Sequence, residues 1–397
     1  MSRPLRSEVF LPNEVSVCHV VQRCVRSMPL LGLDETTGKD YSYRQEWIRQ
    51  RLEKLASVFA VDVLSYAILS NHFHVVLRSR PDIVSAWSDK ESALRWMQLF
   101  QGKRFQEQLE SPTTSDVQAL ANDSEKLDVV RSRLSDLSWF MKTVNEPIAR
   151  RANSEEKLTG PFWEGGFKAQ RLLDEVGTLI CCMHVDLNPI RVSKAKSIRD
   201  SKFTSAFDRW RASHGAMIES AAVSMQSLSQ RAAAGARNNE QKQVNVKVLQ
   251  DSWLAPIPIN SRKSGPVASK TSYRASDKGF LNMSLENYLE LLEFTGRNGR
   301  VSKREVSSLM RGTKVSPSIT SILSNLGIED GMWCELVWNF KKYYGRSRGV
   351  GSPQTMMESA GAQNLAFYPG QRSARSCFKS NAWQKLGNYI PKMENTR

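Results

Sequence analysis

The chain has 397 residues, 40% of them hydrophobic, enough apolar material for a real core, and its length favours two domains. Its formal net charge of +16 is spread along the chain and favours a polyanionic partner: DNA, RNA or an anionic surface. No run approaches the ~18 apolar residues of a membrane helix, and Met1 to Arg6 lack the apolar core of a signal peptide, so the expected location is cytoplasmic or nucleoid-associated.

Val15 to Val21 (VSVCHVV) is apolar and β-branched and reads as a strand. Tyr43 to Phe59 is an amphipathic helix on which Trp47, Leu52, Leu55 and Phe59 share a side. Val61 to Leu69 reads as a second strand, Ser70-Asn71 interrupts it, and His72 to Arg78 reads as a third. The last two are expected to pair as antiparallel neighbours. Residues 80–130 read as polar and irregular, with a helix near Glu91 to Gln108. Leu134 to Ala152 is helical, and Pro147 inside it predicts a kink or break. Gly160-Pro161 opens a loop, Phe162 to Lys168, that enters a short strand. Asp174 to Val185 is helical again, with Pro189 at or beyond its end.

From about Ser213 the composition shifts, and residues 222–282 are rich in Ser, Ala, Gln, Asn, Lys and Pro. The expected organisation is a domain over 1–215, a flexible linker over 216–283, a helical domain over 284–348 and a basic irregular tail over 349–397. Ser284 reads as the N-cap of Leu285 to Phe294. Helical patterns recur at Ser302 to Met310, Ser316 to Leu326 and Met332 to Tyr344. The six cysteines form no CxxC pair and read as small buried hydrophobes.

Side chains at i and i+2 of a strand share a face. His72 and His74 therefore project together, a ready pair of metal ligands in a chain with only five histidines. The plainer alternative is a structural pair satisfied by backbone carbonyls. A third ligand is needed. The Asp174 helix offers His184 and Asn188, four residues apart and so on one face. The Asn188 carbonyl oxygen suits Mg²⁺ or Mn²⁺. Arg23, Arg26, Lys168 and Arg191 are candidate phosphate contacts, with solvated surface charge as the alternative for each. Phe162 and Trp163 suit base stacking, but a core role is favoured.

The strings NHFHVVL, GPFWEGGFKAQRLLDE and CCMHVDLNPIRV, in this order, resemble the HUH single-tyrosine transposases, and most the REP-associated tyrosine transposase branch. The resemblance covers about residues 10–210 and extends to SLENYLELLEFTGR. It implies an α+β, ferredoxin-like fold with an antiparallel sheet, plus a small C-terminal helical domain. It implies a bacterial protein with Mg²⁺ or Mn²⁺ on His72 and His74, Asn188 as third ligand, and hairpin-bearing single-stranded DNA as partner. A homodimer is expected on the same ground. In that family a helix-borne tyrosine attacks the metal-polarised phosphate.

This sequence departs at that tyrosine. The position four residues before the Asn188-Pro189 step is His184, and no tyrosine lies between Tyr66 and Tyr273. Gly166 stands where relatives carry Arg. His184 as a substitute nucleophile, His184 as a further metal ligand, and a domesticated DNA binder without cleavage all stay open. Histidine-triad hydrolases need a third His at Val76, which disfavours that class. An RNA-binding module remains open on charge and fold.

Overall fold

β1 (Val17–Arg23) is rich in valine, which suits a half-buried pleated surface. It is followed by helix α1 (Arg44–Val58), then by β2 (Val61–Ile68) and β3 (His72–Ser79). β3 pairs antiparallel with β1 on one side and β2 on the other. The period-2 alternation decides which side chains enter the core. Cys18 and Val20 of β1 and Phe73, Val75 and Leu77 of β3 pack on one side. They meet Ile48, Leu52 and Leu55 of α1 and Phe140, Val144 and Ile148 of a long helix, α2 (Leu137–Glu156). Each fully buried side chain of this kind contributes about 1.5–3 kcal/mol, as an upper estimate. A register shift between Val63 and Ser65 in β2 keeps both Val63 and Tyr66 on the core side.

The computed structural model describes residues 13–99, 112–219, 247–260, 267–269, 273–299, 316–329, 331–345 and 347–379. They divide into one unit of residues 1–169 and 201–282 and a second of 170–200 and 283–397.

Of the kink or break expected at Pro147, the break does not occur: α2 runs through it. A proline at 147 cannot donate to the carbonyl of Thr143, four residues back. The Arg51 Nε–H donates to that carbonyl instead, at 2.8 Å. The stretch 80–130 is also more ordered than expected. Helices cover Pro81–Ala86, Asp89–Gln98, Thr114–Ala121 and Ser124–Leu134. Ser88, Thr113 and Asp123 cap the last three. The remainder of the helix expected to reach Gln108 lies outside the described residues.

The linker expected over 216–283 is not one over its described part. Met217–Glu219 pairs with Lys247–Leu249. Trp253 and Leu254 are buried in the core of the first unit, and the Ala255 N–H donates to the Val63 carbonyl at 2.9 Å. The segment near Ser276 closes a buried ionic cluster. Asp62, fully buried, meets Arg78 at 2.7 Å and Arg80 at 3.2 Å. It also accepts from the Ser276 hydroxyl at 2.9 Å. Arg78 in turn donates to the carbonyls of Lys278 and Gly279. Composition suggests mobility here because a few large anchors are diluted among small polar residues.

The second unit is built on α3 (Glu175–Asp186), which follows β4 (Lys168–Leu172). Arg171 and Leu172 of β4 pair in parallel with Gly349 and Val350. Helices α4 (Leu285–Asn298), α5 (Met332–Trp338) and α6 (Phe340–Tyr344) complete its described centre. The sequence assigns α3 to the N-terminal domain. It groups instead with the C-terminal helices because its side chains bond to them: the Tyr288 hydroxyl donates to Asp186 at 2.6 Å. The tail is not irregular as far as it is described. Ser352 caps a helix over Pro353–Ala362, and Asp174 accepts from the Ser352 N–H at 2.8 Å and from the Thr355 hydroxyl at 2.6 Å. The helix expected at Ser302 to Met310 lies outside the described residues. All six cysteines are buried, and none is in a disulfide. Among the described residues no helix is long and apolar enough to cross a membrane.

Candidate metal and nucleic-acid site

The face of the sheet turned away from α1 and α2 carries His72 and His74, as the strand parity requires. Their ring centroids are 5.0 Å apart. A third histidine joins them, and sequence reasoning did not place it there. His19 of β1 stands opposite Val76, while Val21 stands opposite His74, so His19 and His74 are diagonal neighbours across the ladder. The His19 Nε2 and His74 Nδ1 lie 2.8 Å apart, in rings inclined by 11°. His19 and His74 are both buried and His72 is half-buried. One proton serves the His19–His74 contact, so at least one of the two rings is neutral. The sequence signals only that His19 shares a face with Val17 and Val21; which strand lies beside that face, and in what register, is set non-locally.

His72 is oriented differently. Its Nδ1 lies 2.6 Å from the Asn71 side-chain oxygen, which can only accept, so Nδ1 carries a proton, and in the neutral ring Nε2 carries the lone pair. The Asn71 amide then donates to the Ser27 carbonyl at 3.1 Å. Through Asn71 the ring is coupled to the turn after β1, where Arg26 (φ 51°) and Ser27 (φ 56°) both adopt left-handed backbone. Such conformations cost non-glycine residues of order 1 kcal/mol or more each. Arg26 is exposed on this turn, and Arg23, half-buried, stands opposite His72 in register.

Two imidazoles whose Nδ1 atoms are fixed by outer partners are the arrangement found around histidine metal ligands. His72 and His74 share that feature of ligand histidines. Among the described residues no group of three or more His, Cys, Asp or Glu side chains is arranged to hold a metal ion.

The loop 160–168 runs beside the end of β1. The Val25 N–H donates to the Phe162 carbonyl at 3.0 Å and the Glu164 N–H to the Arg23 carbonyl at 2.8 Å. Phe162 and Trp163 are core residues. Trp163 meets Phe73 edge-on at 5.7 Å, and its indole N–H donates to the Asn145 carbonyl at 3.0 Å. Lys168 is exposed.

His184 and Arg191 come together inside the second unit. His184 is 1% exposed. Its Nδ1–H donates to the Val337 carbonyl at 3.0 Å, and Arg191 donates to its Nε2 at 3.3 Å. Its ring stacks on Phe340 at 4.5 Å. A guanidinium donor on Nε2 and a carbonyl acceptor on Nδ1 fix a neutral tautomer. Burial holds the Arg191 pKa below its usual value. Asn188 is buried in the same unit and opens the short helix Asn188–Arg191.

Tyr41 and Tyr66 both bond their hydroxyls to carboxylates. Tyr66 is fully buried and faces the helical side. Its hydroxyl donates to Asp208 at 2.7 Å, and burial first, then the Asp208 charge, pushes its pKa far up. The Tyr41 hydroxyl donates to Glu156 at 2.5 Å, with its pKa pushed up to about 12, mainly by burial. Tyr43 is exposed, at the start of α1.

No protein-family description and no curated protein matches the chain. One solved structure, described as "Structure of the REP associates tyrosine transposase bound to a REP hairpin", is similar over 52% of this chain and 82% of that one, with 11% identity and a TM-score of 0.30. A likeness at that level does not establish a shared fold.

Proposed function

We propose that this protein is a transposase-like DNA-binding protein that holds Mg²⁺ or Mn²⁺ at His72 and His74 and no longer cleaves DNA covalently through the α3 position. The observation that carries the reading is the histidine cluster on the sheet face turned away from α1 and α2. His72 and His74 share one side of one strand, and each has its Nδ1 engaged by a separate outer partner. The succession β1, α1, β2, β3, α2 and β4, with four further helices among the described residues between β3 and α2, supports the ferredoxin-like arrangement implied by the sequence resemblance, and the +16 charge supports a DNA partner. Arg23 and Arg26 lie at the His72 end of the strands, where a phosphate held by the metal would pass. When bound, the metal would polarise a phosphoryl oxygen and orient the strand.

The reading of His184 as a nucleophile loses support from its surroundings. Attack on phosphorus needs an accessible lone pair on the imidazole. The Nε2 lone pair of His184 accepts from Arg191, and the ring is buried. This favours a binding protein over an enzyme.

The test is incubation of the purified chain with hairpin-bearing single-stranded DNA and Mn²⁺, followed by denaturing electrophoresis and, in parallel, a binding titration. Retained binding without adduct or nick is the expected result. An adduct that disappears in His184→Gln overturns the proposal.

A further inference from the structure

The layer formed by α1 and α2 holds a second concentration of chemistry, on the side of the sheet away from the histidines. The two helices run antiparallel. Arg44 meets Glu155 at 2.8 Å, the Arg151 guanidinium lies 3.8 Å over the Trp47 ring, and Arg51 reaches Thr143. Toward the other end, Arg133 sits 4.4 Å over the Trp139 ring and the Lys142 ammonium 4.8 Å over it.

Between these aromatic stations stand Arg51, Lys54 and Arg150. The pKa of Arg51 is lowered by burial and then by the Arg150 charge, and that of Lys54 by burial and then by Arg51. Three cations thus crowd each other at the expense of folding stability. The acid beside them, Glu146, is 3.8 Å from Arg150 with both side chains exposed, which makes a weak pair. Beyond the Arg51–Thr143 hydrogen bond, the crowding of like charge does not stabilise the fold, whereas a polyanion relieves it. Each indole face that now carries a cation can exchange it for an unpaired base, because every base offers a π-face and the displaced cation then suits the backbone beside it. A duplex keeps its base faces stacked, so the aromatic stations favour a single strand.

We infer that the seam between α1 and α2 is a second binding surface, for a single strand of DNA. Its phosphates lie on Arg51, Lys54 and Arg150, and its bases lie against Trp47 and Trp139. The inference deepens the DNA-binding reading above, but it does not need the metal.

The test uses the full chain and a fluorescein-labelled dT20 strand, with anisotropy followed over a series of salt concentrations and no added metal. Removing two phosphate contacts in Lys54→Gln/Arg150→Gln weakens binding and lowers the slope of log K against log salt by about 1.4. Trp47→Leu and Trp139→Leu each weaken binding about tenfold with the slope unchanged. Circular dichroism checks folding, and if a tryptophan variant unfolds, the charge variant decides, since Lys54 and Arg150 are not core residues. Unchanged affinity and slope in the charge variant overturn the inference. Failure of the metal proposal shows separately, as Mn²⁺ binding that is insensitive to His72→Ala/His74→Ala.

Discussion

His19 Nε2 and His74 Nδ1 share a hydrogen bond of 2.8 Å between two buried rings on neighbouring strands. If His74 binds a metal through its other nitrogen, His19 fixes the tautomer and the ring plane. Loss of such an outer partner costs about 10- to 100-fold in metal affinity. His19→Ala is therefore expected to weaken Mn²⁺ binding by that order in a calorimetric titration. Affinity equal to that of the parent would show that His19 has no orienting role.

Trp253 packs on Tyr66 with centroids 5.2 Å apart and is 1% exposed. Trp253→Ala leaves a large cavity in the first unit and is expected to cost about 3–5 kcal/mol in urea denaturation. A change under about 0.5 kcal/mol, the size expected of a surface site, would instead mean that this segment does not belong to the core.

Asp208 makes stability depend on pH in a definite direction. Burial raises its pKa above the usual 3.8, while Arg49, Tyr66 and Gln250 act to lower it and Glu46 to raise it. The folded state therefore holds the proton more tightly than the unfolded chain. Above about pH 4 the unfolded state ionises first, so stability falls as pH climbs through the raised value. Asp208→Asn removes that fall. The stability of the variant relative to the parent should rise between about pH 4 and 7, and a difference flat in pH would contradict this linkage.

Replacing Asp62 leaves two buried guanidinium groups without their shared carboxylate. Breaking a buried ion pair by removing one partner costs about 3–5 kcal/mol. Asp62→Ala is expected to lower the unfolding free energy by at least that order. It should also increase proteolysis near Ser276, whose hydroxyl loses the same acceptor.

His184 separates a strut from a nucleophile. Gln can donate to the Val337 carbonyl and accept from Arg191, as His184 does, while Ala can do neither. Thermal denaturation should place His184→Gln near the parent and His184→Ala lower by about 2–4 kcal/mol. Equal stability of both variants would mean that these hydrogen bonds contribute nothing.

Much of the first unit is legible in the sequence because its signals are local. The strands near Val15, Val61 and His72 follow from β-branched runs, and α1, like α3 of the second unit, follows from apolar spacing. The His72/His74 pair follows from strand parity alone. Its third member does not, because placing His19 against His74 requires the β1–β3 register, which two distant segments set together. The grouping of α3 with the C-terminal helices is hidden for the same reason, since the Tyr288–Asp186 bond spans 102 positions. The small helices between 81 and 134 escape a sequence reading because short apolar faces are diluted by polar residues, even though Ser88, Thr113 and Asp123 are ordinary capping types.

Arg51 and Pro147 form one unit of inheritance. The proline withholds a main-chain donor from Thr143, and the arginine supplies one from another helix. Each residue is tolerable mainly in the presence of the other, so the two positions should change together as sequences diverge. With Ala at 147 the main chain reclaims the carbonyl and releases the guanidinium to its neighbours. With Pro147 kept, a neutral residue at 51 orphans the carbonyl and uncouples the middle of the two helices. A double-mutant cycle across this pair measures how far a helix has delegated its own backbone bonding to its partner.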